Sequence, residues 1–295
     1  MKNVRLKWFT RDEEFPFFIQ YGEHAEDFSL HKHTDFSELV IVLNGHATHI
    51  VNDEISFIKK GHVFVINGET THAYKDPCSF EICNIMYKPE MMIQLGSDLR
   101  SFEGYHAMFV LEPLYHNKKS INKHMYLSLN NMEFIEEFIA DMIDEYHGKR
   151  PGYKTLLTSK FTELVVYLSR HHESSGKTSE GQVMHLAAAV SYIEDHYLDH
   201  LTLEDIALYA NISVRHLNRI FKSFYQTSPI AYLQRLRMER ACQLLRLTSL
   251  PITQVSYQSG FNDSNYFTRL FTKTYGMSPK LFRQKEMVMT ESISE

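Results

Sequence analysis

The spacing of apolar residues changes character along this chain. Through the first 130 residues, short runs at 39–43, 46–51, 55–58, 63–66 and 80–87 are rich in β-branched and aromatic side chains. Asn44-Gly45, Asn52-Asp53, Lys60-Gly61 and Asn67-Gly68 separate them as hairpin and turn signals. Short strands at this spacing predict a small barrel or jelly roll. Further on, the apolar period lengthens. Between 132 and 146 apolar residues fall at 135, 138, 139, 142, 143 and 146, a helical stripe with acids opposite. Pro151 breaks it, and Leu157, Phe161, Leu164, Val165 and Leu168 mark a second helix, so 131–170 is expected to form an antiparallel hairpin. Residues 171–182 are polar and rich in Ser, Gly and Lys, a linker composition. A helix from about 183 to 197 follows, and Thr202-Leu203-Glu204-Asp205 is a capping box for the next.

From 201 to 285 a motif is written twice. Ser213, Leu217, Arg219, Phe221, Tyr225, Ser228 and Pro229 recur 50 positions later as Asp263, Phe267, Arg269, Phe271, Tyr275, Ser278 and Pro279. Ahead of each copy lies a short amphipathic helix and a turn at Asn211 or Gly260, residues that tolerate a left-handed backbone. Ala207 and Ser256, four positions before those turns, are small enough for two helices to cross closely. The pattern is a helix-turn-helix, present twice. Ser213 and Asp263 cap the second helices, whose apolar positions are Leu217, Phe221 and Phe224, and Phe267, Leu270 and Phe271.

The opposite faces carry Arg215, Asn218, Arg219 and Lys222, then Ser264, Asn265, Thr268 and Arg269. Such side chains pair with base edges or phosphates. A solvated helix face is the plain alternative for either helix alone; its repetition favours nucleic acid. Ser228-Pro229 starts a helix that continues to about Leu247. At ~1.5 Å per residue it makes a rod of roughly 28 Å, against about 34 Å for one turn of duplex DNA. It could therefore hold both recognition helices against one side of double-stranded DNA, with Arg235, Arg237, Arg240 and Arg246 near phosphates.

Charge is divided accordingly. The whole chain of 295 residues carries a formal net charge of −5. Residues 201–285 hold 12 Lys+Arg against 4 Asp+Glu, whereas 1–182 hold 19 against 26. A basic domain is thus joined to an acidic one. Cys78, Cys83 and Cys242 show neither disulfide nor zinc spacing, as expected of a cytoplasmic chain. Without a basic-then-apolar leader or an apolar run near 18 residues, neither export nor membrane insertion is expected.

Residues 185–285 resemble the DNA-binding domain of the AraC/XylS family of bacterial transcription regulators. The run 260–267, Gly-Phe-Asn-Asp-Ser-Asn-Tyr-Phe, and the closing Gly276-Met277-Ser278-Pro279 carry much of the likeness. In the N-terminal part, His31, His33, Glu38 and Gly45 resemble the first cupin motif, and the segment from Gly61 to His72 the second, although Asn67 and Glu69 stand where Pro and Gly are usual. Metal-binding cupins hold one ion on three His and the Glu, a donor set that suits Zn, Fe, Mn or Ni. Two readings compete for His31, His33, Glu38 and His72: inward-facing groups that hold a small polar effector or a metal, or strand-end residues bonded to neighbouring loops. The segment 31–87 also resembles the activators of L-rhamnose operons, through His33, Phe36, Glu38-Leu39-Val40, Gly45 and Ile85-Met86-Tyr87-Lys88-Pro89-Glu90 among others.

The resulting expectation is a two-domain α+β regulator. A cupin-like effector barrel spans 1–130, a helical hairpin 131–170, a linker 171–182, an all-α double helix-turn-helix domain 183–285 and a tail 286–295. The hairpin either packs on the barrel or, as the resemblance implies, forms a homodimer. The expected partners are DNA, a sugar effector and RNA polymerase. Arg215, Asn218, Arg219, Asn265, Thr268 and Arg269 are expected at or beside base edges, with Lys222 and Arg240 on phosphate. Neither a cofactor nor a catalytic residue is expected. The competing class is a metal-dependent cupin enzyme carrying the DNA-binding domain as a passenger.

Overall fold

The computed structural model describes residues 2–68, 70–93, 98–115, 124–175 and 182–291. Glu69, the stretch 176–181 of the expected linker and the end of the tail, 292–295, lie outside the described residues. The chain divides into two compact units, Met1–Ala187 and Ala188–Glu295. The two-domain α+β expectation holds, with strands confined to the first unit.

The first unit is built on one sheet of eight strands: β1 (Lys2–Val4), β2 (Phe17–His24), β3 (Phe28–His33), β4 (Ser37–Val51), β5 (Glu54–Lys59), β6 (His62–Ile66), β7 (Thr71–Tyr87) and β8 (Met125–Tyr126). Its spine is the antiparallel pair β4 and β7. β6 and β5 flank successive halves of β4, while β3 and β2 flank successive halves of β7. The pairing runs from β1 at one end to β8 at the other without closing, so the expected barrel is an open, cupin-like sheet.

Strand period explains why 39–43 reads as an uninterrupted apolar run. Val40 and Val42 pack with Phe64, Tyr74, Phe80 and Ile82 on one face. Leu39 and Ile41 turn to the other, where Phe17, Ile85 and the helices bury them. Both faces are covered, so both parities are apolar.

One turn expectation and one strand boundary need correction. Asn44-Gly45 is not a hairpin: β4 runs through it with a shift of register against β7. Gly45 has φ +65°, and a Cβ there would meet the carbonyl oxygens of Cys78 and Ser79 at 2.1 Å, so only glycine fits this bulge. β7 likewise begins at Thr71 rather than 80, passing Pro77 within the irregular stretch opposite Gly45. Asn52-Asp53 is a true hairpin turn, with φ of 45° and 71°, the left-handed pair that a tight β-turn requires.

After β7 come the short helices α1 (Pro89–Ile93), α2 (Glu103–Tyr105) and α3 (Glu112–Tyr115). The predicted hairpin is α4 (Leu129–Gly148) and α5 (Tyr153–Ser175). α4 starts a turn earlier than its apolar stripe, because Ser128 caps it by accepting from the Asn131 amide. α5 continues into the stretch expected as linker, so 171–175 is helical. Phe161 is fully buried among Phe17 and Tyr87, with ring centroids 5.5 and 5.0 Å away, and ties α5 to the sheet. Val166 and Tyr167 pack half-buried against the core cluster.

The boundary between the units falls inside α6 (Gln182–His196). The remaining helices are α7 (Leu203–Tyr209), α8 (Val214–Tyr225), α9 (Pro229–Leu247), α10 (Ile252–Gln258), α11 (Ser264–Tyr275) and α12 (Pro279–Glu291). The repeat is visible in the hydrogen bonds. In the first turn the Ile212 amide donates to the Ala207 carbonyl at 3.0 Å; in the second Phe261 donates to Ser256 at 3.1 Å. Asn211 and Gly260 have φ of 53° and 84°. Ser213 and Asp263 cap α8 and α11, and Thr202 and Asp205 form the capping box of α7. The buried set on α8 is Leu217, Ile220 and Phe221, with Phe224 only half-buried.

Candidate nucleic-acid interface and ligand cavity

On α8, Arg215, Arg219 and Lys222 are exposed, on the side away from Leu217 and Phe221. The Arg219 guanidinium lies 3.2 Å from His216 Nε2. Asn218 is half-buried and its amide nitrogen donates to the Val214 carbonyl at 3.1 Å, which leaves its carbonyl oxygen for another partner. On α11, Asn265 and Arg269 are exposed, while Ser264 and Thr268 are half-buried. The Thr268 hydroxyl donates to the Ser264 carbonyl at 2.8 Å, so toward a base or phosphate it can only accept. Asp263 accepts from the amides of Asn265 and Tyr266 at 2.7 and 2.9 Å; those bonds hold its carboxyl below the usual range.

The α9 arginines divide. Arg235 is exposed, stacked 4.7 Å over Tyr232. Arg240 is half-buried, with Nη1 on Gln243 at 3.4 Å. Arg246 is exposed, over the Phe282 ring at 5.4 Å. Arg237 corrects its sequence-based assignment to the phosphates. Its guanidinium donates to the carbonyls of Tyr197 and Asp199, each at 2.7 Å, and so braces the loop ahead of α7. Neither contact has a signal in the sequence, because the partners are carbonyls about 40 residues away.

In the first unit β2, β3, β4 and β7 bound a cavity of about 340 Å³. Its lining includes His31, His33, Glu38 and His72, the four residues singled out from the motifs. All four are buried, with exposures of 6, 1, 4 and 1 %. His33 and His72 Nε2 are 3.3 Å apart, and Glu38 Oε2 lies 3.6 and 3.8 Å from them. His31 stacks beside His72 with ring centroids 4.2 Å apart, and its Nδ1 is 3.1 Å from the Ser29 carbonyl. Although His33, Glu38 and His72 stand at or next to strand ends, the four side chains converge on one another.

Burial sets their protonation. It holds His33 down at about 3, with His31 adding to the effect, and pushes Glu38 up to about 8. Burial also keeps His31 below, and His72 well below, the usual imidazole value. At neutral pH the set is therefore uncharged, and the Glu38 carboxyl is a donor as well as an acceptor.

Strand alternation also brings in residues that motif reading missed: Gln20, Tyr74 and Asn84, with Trp8 and Phe28 as aromatic walls. A signal existed for part of this, since Gln20, Gly22 and His24 share one parity while Phe17 and Ile19 take the other. The Tyr74 hydroxyl and Asn84 Oδ1 are buried without a hydrogen-bond partner, as are Nδ1 of His33 and His72. Buried polar atoms in this condition mark places where a polar ligand or ion is accommodated.

Residues 206–285 match the family model described as a helix-turn-helix domain. The transcriptional activator RhaR of Mannheimia succiniciproducens is 26% identical over 275 residues, covering 92% of this chain and 93% of that one. RhaS of an Enterobacter species, also a transcriptional activator, is 26% identical over 85% of this chain and 86% of its own. A solved AraC-type transcriptional regulator from Chromobacterium violaceum is 34% identical, spanning 35% of this chain and 91% of its own length, with a TM-score of 0.33.

The chain belongs to the AraC-type transcription regulators. The regulator is a DNA-binding protein, and its second unit supplies the helices for that task. Among the described residues no helix is long and apolar enough to cross a membrane.

Proposed function

We propose that the regulator is a sequence-specific activator of sugar-catabolism genes, controlled by a small-molecule effector bound in the first unit. The carrying observation is the pairing of a duplicated helix-turn-helix with a cavity whose histidines and glutamic acid are buried and uncharged and which has several buried polar atoms without partners. Arg215, Asn218, Arg219, Asn265, Thr268 and Arg269 read or flank base edges; Ser264, Lys222 and Arg240 complete the DNA surface. His31, His33, Glu38 and His72 contact the effector. A neutral polyhydroxylated ring matches such a lining, and L-rhamnose is the first to test, given the likeness to RhaR and RhaS.

Control follows from a population shift. Effector must bind one arrangement of the protein on DNA better than another, and that difference bounds the change in occupancy. Pairing of two copies through the hairpin of 131–170, and contact with RNA polymerase, complete the scheme. Light scattering at micromolar concentration checks the dimer. The whole assignment is tested by a thermal-shift screen of sugars followed by footprinting. A sugar that raises the unfolding midpoint and alters promoter occupancy supports it; a set of sugars with no effect on either removes the sugar reading.

A metal-dependent enzyme with a passenger DNA-binding domain remains the competing assignment, favoured only by the histidine cluster. We place the regulator first and assign no catalysis, because both relatives named above are transcriptional activators over most of this chain's length. Turnover of a substrate by the purified chain would reverse that order.

A further inference from the structure

The threonine hydroxyls of α11 are already spent. Thr268, Thr272 and Thr274 donate to the carbonyls of Ser264, Thr268 and Leu270, four residues back, at 2.8, 2.8 and 2.9 Å. A phosphate oxygen offers lone pairs only, so a hydroxyl whose proton is committed elsewhere has nothing to give it. Tyr266 is arranged the other way round. Gln234 on α9 donates its side-chain amide to the Tyr266 oxygen at 2.7 Å. That bond fills an acceptor site on the phenol and turns the phenol's own proton away from Gln234. With the side chain 39 % exposed, the proton is available to a partner from solution.

Its place on the helix fits a backbone contact. At about 100° per residue, Tyr266 lies roughly 20° around α11 from Lys273 and roughly 60° from Arg269. Both of those cations are exposed, while Phe267 and Phe271 turn to the core. Tyr266 therefore flanks the face that carries Asn265 and Arg269, and tyrosine is among the side chains that position a protein on phosphates. The second recognition helix also has fewer cations for that task, Arg269 and Lys273 against Arg215, Arg219 and Lys222 on α8. In the first copy the equivalent residue, 50 positions earlier, is His216, whose Nε2 accepts from Arg219 of the same helix at 3.2 Å. In the second copy the tie runs to α9 instead.

We propose that Tyr266 donates a hydrogen bond to a phosphate of the duplex and that Gln234 positions it for that contact. This assignment rests on α11 serving as a recognition helix. An uncharged donor fixes the register of α11 on the backbone without displacing a counterion. The connecting helix α9 thus aims part of the second DNA-binding face as well as linking it to the first.

The test uses full-length protein with a duplex that it has selected from random sequence, and a scrambled duplex beside it. Tyr266→Phe keeps the ring, whose centroid is 6.4 Å from that of Phe261, and removes only the hydroxyl. Affinity for both duplexes should fall roughly fivefold, the value of one hydrogen bond. The urea midpoint should not move, and neither should the salt slope, since counterion release follows cationic contacts. Gln234→Ala should also weaken binding, yet cost nothing further in the Tyr266→Phe background. Arg269→Ala serves as the control for the helix. If it weakens binding while Tyr266→Phe does not, the tyrosine assignment alone fails; if neither matters, the reading of α11 fails with it. A loss for Tyr266→Phe confined to the selected duplex would make Tyr266 a base contact and overturn the phosphate assignment. Equal losses for Gln234→Ala with and without Tyr266→Phe would remove its positioning role.

Discussion

His172 on α5 sets its Nε2 2.8 Å from Glu112 Oε1 on α3, joining two elements 60 positions apart in the first unit. Burial pulls the imidazole pKa down, but the hydrogen bond and charge of Glu112 together outweigh it, and the net shift is upward. A group whose folded pKa exceeds its unfolded value contributes stability that is complete below the unfolded value, about 6.5. That contribution is lost as pH rises through the higher folded value.

The first prediction follows from that sign. His172→Gln should lower the unfolding midpoint more near pH 6 than near pH 8.5, because the contribution fades as pH rises through the raised folded value. A hydrogen bond to a charged partner is worth about 2 kcal/mol, or roughly 4–8 °C in a domain of this size. Differential scanning calorimetry at the two pH values checks this; a pH-independent gap would mean that packing, not charge, dominates at this position.

On the DNA face, Arg219→Ala and Lys222→Ala should differ in kind. If Arg219 contacts a base edge, its loss costs about 1–3 kcal/mol on the cognate site and relaxes preference at one position. Loss of Lys222 should weaken all sequences alike and flatten the salt dependence by about one unit of slope. Binding titrations at several salt concentrations on cognate and scrambled duplexes separate the two. Equal footprints and affinity for Arg219→Ala would displace the proposed reading face of α8.

Gly260→Ala probes the second turn. The position has φ +84°, and a Cβ would stand 2.8 Å from both the Tyr197 carbonyl and Arg237 Nε. Strain of this kind costs about 1–3 kcal/mol. Urea denaturation should show the loss in the second unit, with DNA affinity falling alongside. An unchanged midpoint would show that the α6–α7 loop yields easily at this contact.

Tyr74→Phe should separate binding from folding. Its hydroxyl is buried without a partner, so removing it leaves no orphaned group and should not reduce stability. If the effector bonds to this oxygen, affinity should drop by roughly fivefold, the value of one hydrogen bond near 1 kcal/mol. Calorimetric titration with the sugar found by screening decides this, and unchanged affinity would take Tyr74 out of the effector contacts.

The second unit was legible in unusual detail because its determinants are local. Caps at Thr202, Ser213, Ser228 and Asp263, left-handed residues at Asn211 and Gly260, and the start of α9 at Pro229 are each decided within four or five residues. Repetition then supplied a second, independent copy of the pattern. What local reasoning missed there is long-range: Arg237 is as polar as Arg235, and only tertiary packing turns it toward the carbonyls of Tyr197 and Asp199.

The first unit was less transparent. Asn44-Gly45 carries a hairpin composition, yet β7 lies alongside on both sides of it, so pairing carries β4 straight through and glycine serves a bulge. Motif spacing picked out His31, His33, Glu38 and His72, but not Gln20 and Asn84, which join them because β2 and β7 pair, or Tyr74, which joins through the pairing of β7 with β3 and β4.

Residue order alone therefore specified the helix-turn-helix pair, its capping and the identity of the four cavity residues, since these depend on spacing along the backbone. Convergence of those four, their loss of charge on burial and the diversion of Arg237 came from packing. They depend on which distant strands and loops become neighbours, and on how much water is excluded when they do.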